Sequence, residues 1–125
     1  MKWIKNILIT ISSLSILNAW LFRFGKQTIF RGGDATSMLG EFEVYGLSET
    51  IMYAVGGVKI IASLLLLAGI FYDKLVIPSA AVIGTLMLGA VAMHFKVQDA
   101  WIKFFPAGLF LILSLTIIYL QRQEK

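Results

Sequence analysis

Lys59 stands near the middle of the apolar stretch Ser48–Phe71, SETIMYAVGGVKIIASLLLLAGIF. That stretch has the length of a bilayer-crossing helix, which takes roughly 20 apolar residues at ~1.5 Å each. Lys59 then lies ~16 Å from one end and ~18 Å from the other, where an ammonium costs about 2.5–3.5 kcal/mol. Gly56, Ala62 and Ser63 share its side of the helix, whereas Ile60, Ile61, Leu64 and Leu65 hold the other flanks. Small residues mark helix contacts in membranes, so Lys59 is expected to face the protein interior. An ammonium there donates hydrogen bonds, pairs with a carboxylate, or serves as an acid or base. Its candidate companions are Asn18, Arg31, Asp34, Glu41, Tyr45 and the only histidine, His94. One imidazole does not give bis-histidine haem ligation, and zinc would need distant carboxylates, so no metal site is expected. His94 suits proton handling near neutral pH, or simply closes a helix C-terminus.

The elements that position these groups follow from composition. The chain has 125 residues, mean hydropathy +0.84 and 14% charged residues, against about 25% charged in a soluble domain. The apolar residues come in long blocks, which reads as one all-α membrane domain. A net charge of +4 does not point to nucleic acid, because the cations flank the apolar blocks and form no basic face. The absence of cysteine excludes disulfides, thiolate catalysis and iron–sulfur ligation.

Four spans are expected, at about 4–24, 48–71, 75–95 and 104–120, in an up-down-up-down bundle with both termini on one side. The first begins as a secretory signal would. Its apolar run reaches Phe24, however, and the best cleavage candidate, Leu17-Asn18-Ala19, has a large residue where a small one is needed. Retention is therefore expected, with Trp3 and Trp20 as interfacial anchors. Ser12, Ser15 and Asn18 form a polar stripe, for helix–helix hydrogen bonding or for lining the space around Lys59. In the long loop, Gly32-Gly33 permit a turn and Asp34 offers a cap. Met38, Phe42 and Tyr45 give a short amphipathic helix over about 35–45, ended by Gly46, lying on the membrane or folded over the bundle mouth. Ser48 caps the second span. Ala81, Thr85 and Gly89 in the third are spaced for a packing seam. Excluding Lys59, the two sides carry equal numbers of Lys and Arg. Termini in the cytoplasm are expected, with Arg31 and Lys96 assigned to a site rather than to topology.

This topology brings Asn18, Arg31, Asp34, Glu41, Tyr45, Lys59 and His94 towards one mouth, with Glu41 the preferred ion partner of Lys59. Two readings stay open: a polar pocket that takes a ligand, or a set of charges that neutralise one another and pin the loop.

The runs FRGGDATSMLGEFEVYGL, GGVKIIASLLLLAGI and LGAVAMHFKVQDAWIKFFPAGLFLILSL resemble the DoxX-like family of small bacterial membrane proteins. The matching positions are Gly57, Lys59, Gly69, His94, Asp99 and Pro106, while Ser48 stands where many relatives have proline. The resemblance implies a four-helix protein of the bacterial inner membrane. Founding relatives are associated with a thiosulfate:quinone oxidoreductase as its small membrane subunit. Three functions follow as expectations. The first is an accessory module that binds a small lipophilic ligand, a quinone being the natural candidate because Lys59 and His94 would donate to its carbonyl oxygens. The second is a stand-alone oxidoreductase or isomerase using Glu41, Lys59 and His94. The third is a structural subunit of a membrane complex or homo-oligomer. No haem, flavin or cysteine motif is present, so any electrons would pass through a ligand or a partner.

Overall fold

A computed structural model describes residues 2–22, 37–99 and 101–123. Its α-helices are α1 (Lys2–Leu21), α2 (Met38–Val44), α3 (Glu49–Ala68), α4 (Val76–Lys96) and α5 (Phe105–Gln123). Short 3-10 turns at Asp73–Leu75 and Trp101–Phe104 lead into α4 and α5. Four segments, Trp3–Leu21, Glu49–Ala68, Asp73–Lys96 and Trp101–Gln123, are long and apolar enough to cross a membrane. The chain is an integral membrane protein, and among the described residues it has four such helices and one short helix in the first loop.

Local chemistry sets the helix ends. Ser37 Oγ accepts from the Gly40 N–H at 3.1 Å to cap α2, and Ser48 Oγ accepts from the Ile51 N–H at 3.1 Å to cap α3. The cap of α2 is thus Ser37 and the helix starts at Met38, later than the sequence suggested; Asp34 lies outside the described residues. Gly46, at φ +80°, stops α2. Its N–H donates to Glu43 O at 3.0 Å and the Leu47 N–H to Phe42 O at 2.9 Å, the paired bonds of a Schellman turn.

Helix α1 packs on α3 and α5, and α4 packs on α3 and α5, closing a ring of four with α2 resting on α3. Lys5, 1% exposed, donates to Gln121 Oε1 at 2.5 Å and stands 3.9 Å from Asp73 Oδ1. The start of α1, the end of α5 and the α3–α4 turn therefore share one end of the bundle. Residues 121–125 read as a polar tail in the sequence. Instead α5 runs to Gln123, and Gln121 is buried because the buried Lys5 ammonium needs an acceptor.

Two other expectations give way to packing. Trp3 is 67% exposed as an anchor should be, but Trp20 is 8% exposed and turns its ring onto α3 at Gly56. Ala81, Thr85 and Gly89 face outward within this chain. The small inward residues of α4 are Ser79, Ala80 and Gly84, and an added Cβ at Gly84 would meet Ser114 Cβ at 3.5 Å.

The adjacent glycines of α3 separate packing from propensity. A Cβ at Gly56 would collide with the Trp20 indole, whereas one at Gly57 meets nothing within 4 Å. Gly56→Ala is expected to destabilise by about 1–3 kcal/mol through overpacking. Gly57→Ala should instead gain about 0.5–1 kcal/mol from helix propensity. Thermal unfolding of both variants in detergent checks the opposite signs.

Candidate functional site

The end of the bundle away from the termini holds a cavity of about 600 Å³, within the range of small-molecule sites. Its apolar wall includes Ile16, Phe42, Val55, Met87, Ala107 and Phe110, and its polar groups include Asn18, Glu41, Lys59, His94 and Lys103. Tyr45 also lines it. The structure thus brings five of the sequence-derived candidates, Asn18, Glu41, Tyr45, Lys59 and His94, around one space. Arg31 and Asp34 lie outside the described residues.

Helix α2 folds over the mouth of this cavity, with Phe42 and Tyr45 buried beneath it. The Phe42 ring meets Trp20 edge-on at 6.1 Å and Tyr45 at 6.0 Å. Tyr45 in turn meets His94 at 5.8 Å, and His94 meets Phe104 at 5.4 Å. This aromatic file ties α1, α2, α4 and the turn before α5 together across the opening. Lys96 Nζ adds a bond of 2.8 Å to Tyr45 O, fixing the end of α2 to α4.

Lys59 Nζ lies 5.4 Å from the centroid of the Trp20 ring. A cation over an indole face is stabilised by about 0.5–2 kcal/mol, most where water is excluded. The Glu41 carboxylate attracts Lys59 electrostatically, while its Oε2 accepts from the Tyr45 hydroxyl at 3.0 Å. Among the described residues Lys59 Nζ makes no hydrogen bond, and Lys59 lines the cavity.

His94 carries a partner that the sequence-derived set omitted. Its Nδ1 is 2.6 Å from Asp99 Oδ2, with both side chains buried, and Lys103 Nζ stands 3.9 Å from Asp99 Oδ1. With Asp99 ionised, Nδ1 holds the shared proton. The local backbone explains the pairing. Helix α4 ends in a second Schellman turn, with the Gln98 N–H donating to Phe95 O at 3.1 Å and the Asp99 N–H to His94 O at 3.1 Å. Gln98 takes the left-handed conformation at φ 56°, which folds Asp99 back over His94. A non-glycine residue there costs of order 1 kcal/mol. Gln98→Gly is accordingly expected to stabilise the protein by several tenths to 1 kcal/mol, read as a higher unfolding temperature. The only signals for this pair in the sequence were an acid five residues after the histidine and the family match at Asp99.

The cavity reaches the outer surface of the bundle. Thr85 and Gly89 of α4 and Phe105 and Leu109 of α5 line it and are also exposed on the face that meets lipid. At Gly89 an added Cβ would meet open space. The cavity wall therefore includes part of the outer surface between α4 and α5. Among the described residues no group of three or more His, Asp or Glu side chains is placed to hold a metal ion.

No curated protein and no solved structure matches the chain. The model of the DoxX-like family matches residues 15–117. That match runs from Ser15 on the cavity wall to Ile117 in the core of α5, and it takes in every residue that lines the cavity. By that match the chain belongs to the DoxX-like family.

Proposed function

We propose that the protein binds a small lipophilic ligand bearing carbonyl oxygens, a quinone being the leading candidate, in the cavity beside Lys59. The observation that carries this reading is an ammonium placed on the wall of a largely apolar cavity that opens towards lipid. Lys59 and Asn18 would donate to the ligand's oxygens, and the aromatic file of Trp20, Phe42 and Tyr45 would cover its ring. Entry would be lateral, past Gly89. The protein would serve as a single-domain accessory module of the bacterial plasma membrane, its termini cytoplasmic, supplying a bound ligand to a partner or to a second copy.

Purification in mild detergent, followed by solvent extraction and mass measurement of what co-purifies, tests the reading. A quinone or other oxygenated lipophile in near-stoichiometric amount is expected, and phospholipid alone would contradict it. At Gly89 an added Cβ meets nothing within 4 Å, so Gly89→Phe should narrow the lateral opening without adding a second indole. It should slow uptake of an added short-chain quinone at least tenfold while leaving the unfolding temperature unchanged, measured by stopped-flow quenching of Trp20 emission in a variant lacking Trp3 and Trp101.

One observation favours a second reading, a stand-alone proton-transfer enzyme: His94 is oriented by a buried carboxylate at 2.6 Å and lines the same cavity as Lys59 and Glu41. Isomerisation of a bound carbonyl compound by the purified protein, with no partner added, would decide for it.

A further inference from the structure

Deep in the bundle, Ser12 Oγ, Ser13 Oγ and Ser63 Oγ make no hydrogen bond among the described residues, and neither does Asn6 Oδ1. The serines are buried, at 1%, 0% and 0% exposure. Threonines in the same bundle behave differently. Thr10, Thr85 and Thr116 each donate to the carbonyl four residues back at 2.8 Å. Serine has the same option, and these three hydroxyls do not take it; they are presented to the interior instead. Hydrocarbon does not tolerate unsatisfied polar groups, and buried ones are ordinarily met by ordered water.

The helix register lines these groups up. Trp20 lies against Gly56 and Lys5 lies near Asp73, so α1 and α3 run antiparallel with Ser13 level with Ser63. Ser63 follows Lys59 by one turn on the same face of α3. Towards the termini the file continues to Asn6 and the buried Lys5, interrupted by one apolar layer in which Ile9 and Leu66 are both 0% exposed.

We propose that this polar thread passes protons between the Lys59 cavity and the Lys5 end of the bundle along ordered water. Each serine hydroxyl accepts a proton on one side and releases its own on the other. Only O–H and N–H bonds are made and broken, no electrons move, and a proton entering at one end is matched by one leaving at the other. The Ile9–Leu66 layer is the apolar break that the water file has to cross. This activity does not depend on any ligand in the cavity.

The test uses the full chain in liposomes that enclose a pH-sensitive dye, with a potassium diffusion potential set by valinomycin. Proton entry is expected at several times the rate of protein-free liposomes, falling to that background in the variant Ser12→Ala/Ser13→Ala/Ser63→Ala. The absence of cysteine provides a second variant. In Ser63→Cys, silver ion, which travels only through water, should react with the thiol and block the flux, while leaving the wild type unaffected. Wild-type flux at the protein-free level would overturn the proposal. So would full flux in the triple variant or in silver-treated Ser63→Cys. If the triple variant does not fold, Ser63→Cys decides alone.

Discussion

Replacing Lys59 with methionine is expected to weaken the binding of an added quinone and, at the same time, to make the protein harder to unfold. A hydrogen bond from a charged donor contributes about 1.5–3 kcal/mol, so its loss should weaken binding roughly 10- to 150-fold. Stability should move the other way. Keeping an ammonium near the membrane midplane costs about 2.5–3.5 kcal/mol, and the contact with the Trp20 ring returns about 0.5–2 kcal/mol of that. Methionine keeps the length and the apolar packing of the stem. A net gain of about 0.5–3 kcal/mol therefore follows, measured by thermal unfolding in detergent without ligand. A variant that lost both binding and stability would mark Lys59 as a pin for α2 through Glu41 rather than as a ligand group.

Removing Asp99 should be the most damaging single change outside the packed core. Asp99→Ala takes the acceptor from the buried His94 Nδ1, now at 2.6 Å, and the counter-charge from Lys103 at 3.9 Å. An unsatisfied buried imidazole costs about 1–3 kcal/mol, which sets the expected loss at about 2 kcal/mol, with little added by Lys103, whose side chain is 22% exposed. Asp99→Asn keeps the shape and a carbonyl acceptor, so it should lose less than half as much. The two variants, compared by denaturant unfolding, separate the charge from the geometry. Equal losses would place the effect in the turn at Gln98 instead of in the ion pair.

Much of the architecture is written in the chain because membrane insertion simplifies the problem. Apolar blocks of bilayer length have few alternatives to spanning helices, and Ser48 and Gly46 mark the ends of α3 and α2 by capping chemistry that is local in sequence. The small residues beside Lys59 are likewise a one-helix pattern, and Gly56, Ala62 and Ser63 are all buried. What depends on two helices at once was not legible. Trp20 has the position of an interfacial anchor but rotates inward, because the missing side chain at Gly56 leaves room for its ring. The spacing of Ala81, Thr85 and Gly89 defines a stripe without saying which way it faces. The His94–Asp99 pair needs a left-handed residue, and Gln98 carries no glycine to announce one.

The most direct measurement is a titration of a short-chain quinone against the protein in detergent, with Trp20 emission as the readout in a variant lacking Trp3 and Trp101. Trp20 lines the cavity and lies under the Lys59 ammonium, so a bound quinone ring should quench it. Saturable quenching is predicted in the otherwise unaltered protein, and the same curve shifted at least tenfold to higher concentration in Lys59→Met. Linear, unsaturable quenching, or identical curves for the two proteins, would contradict a ligand site built around Lys59.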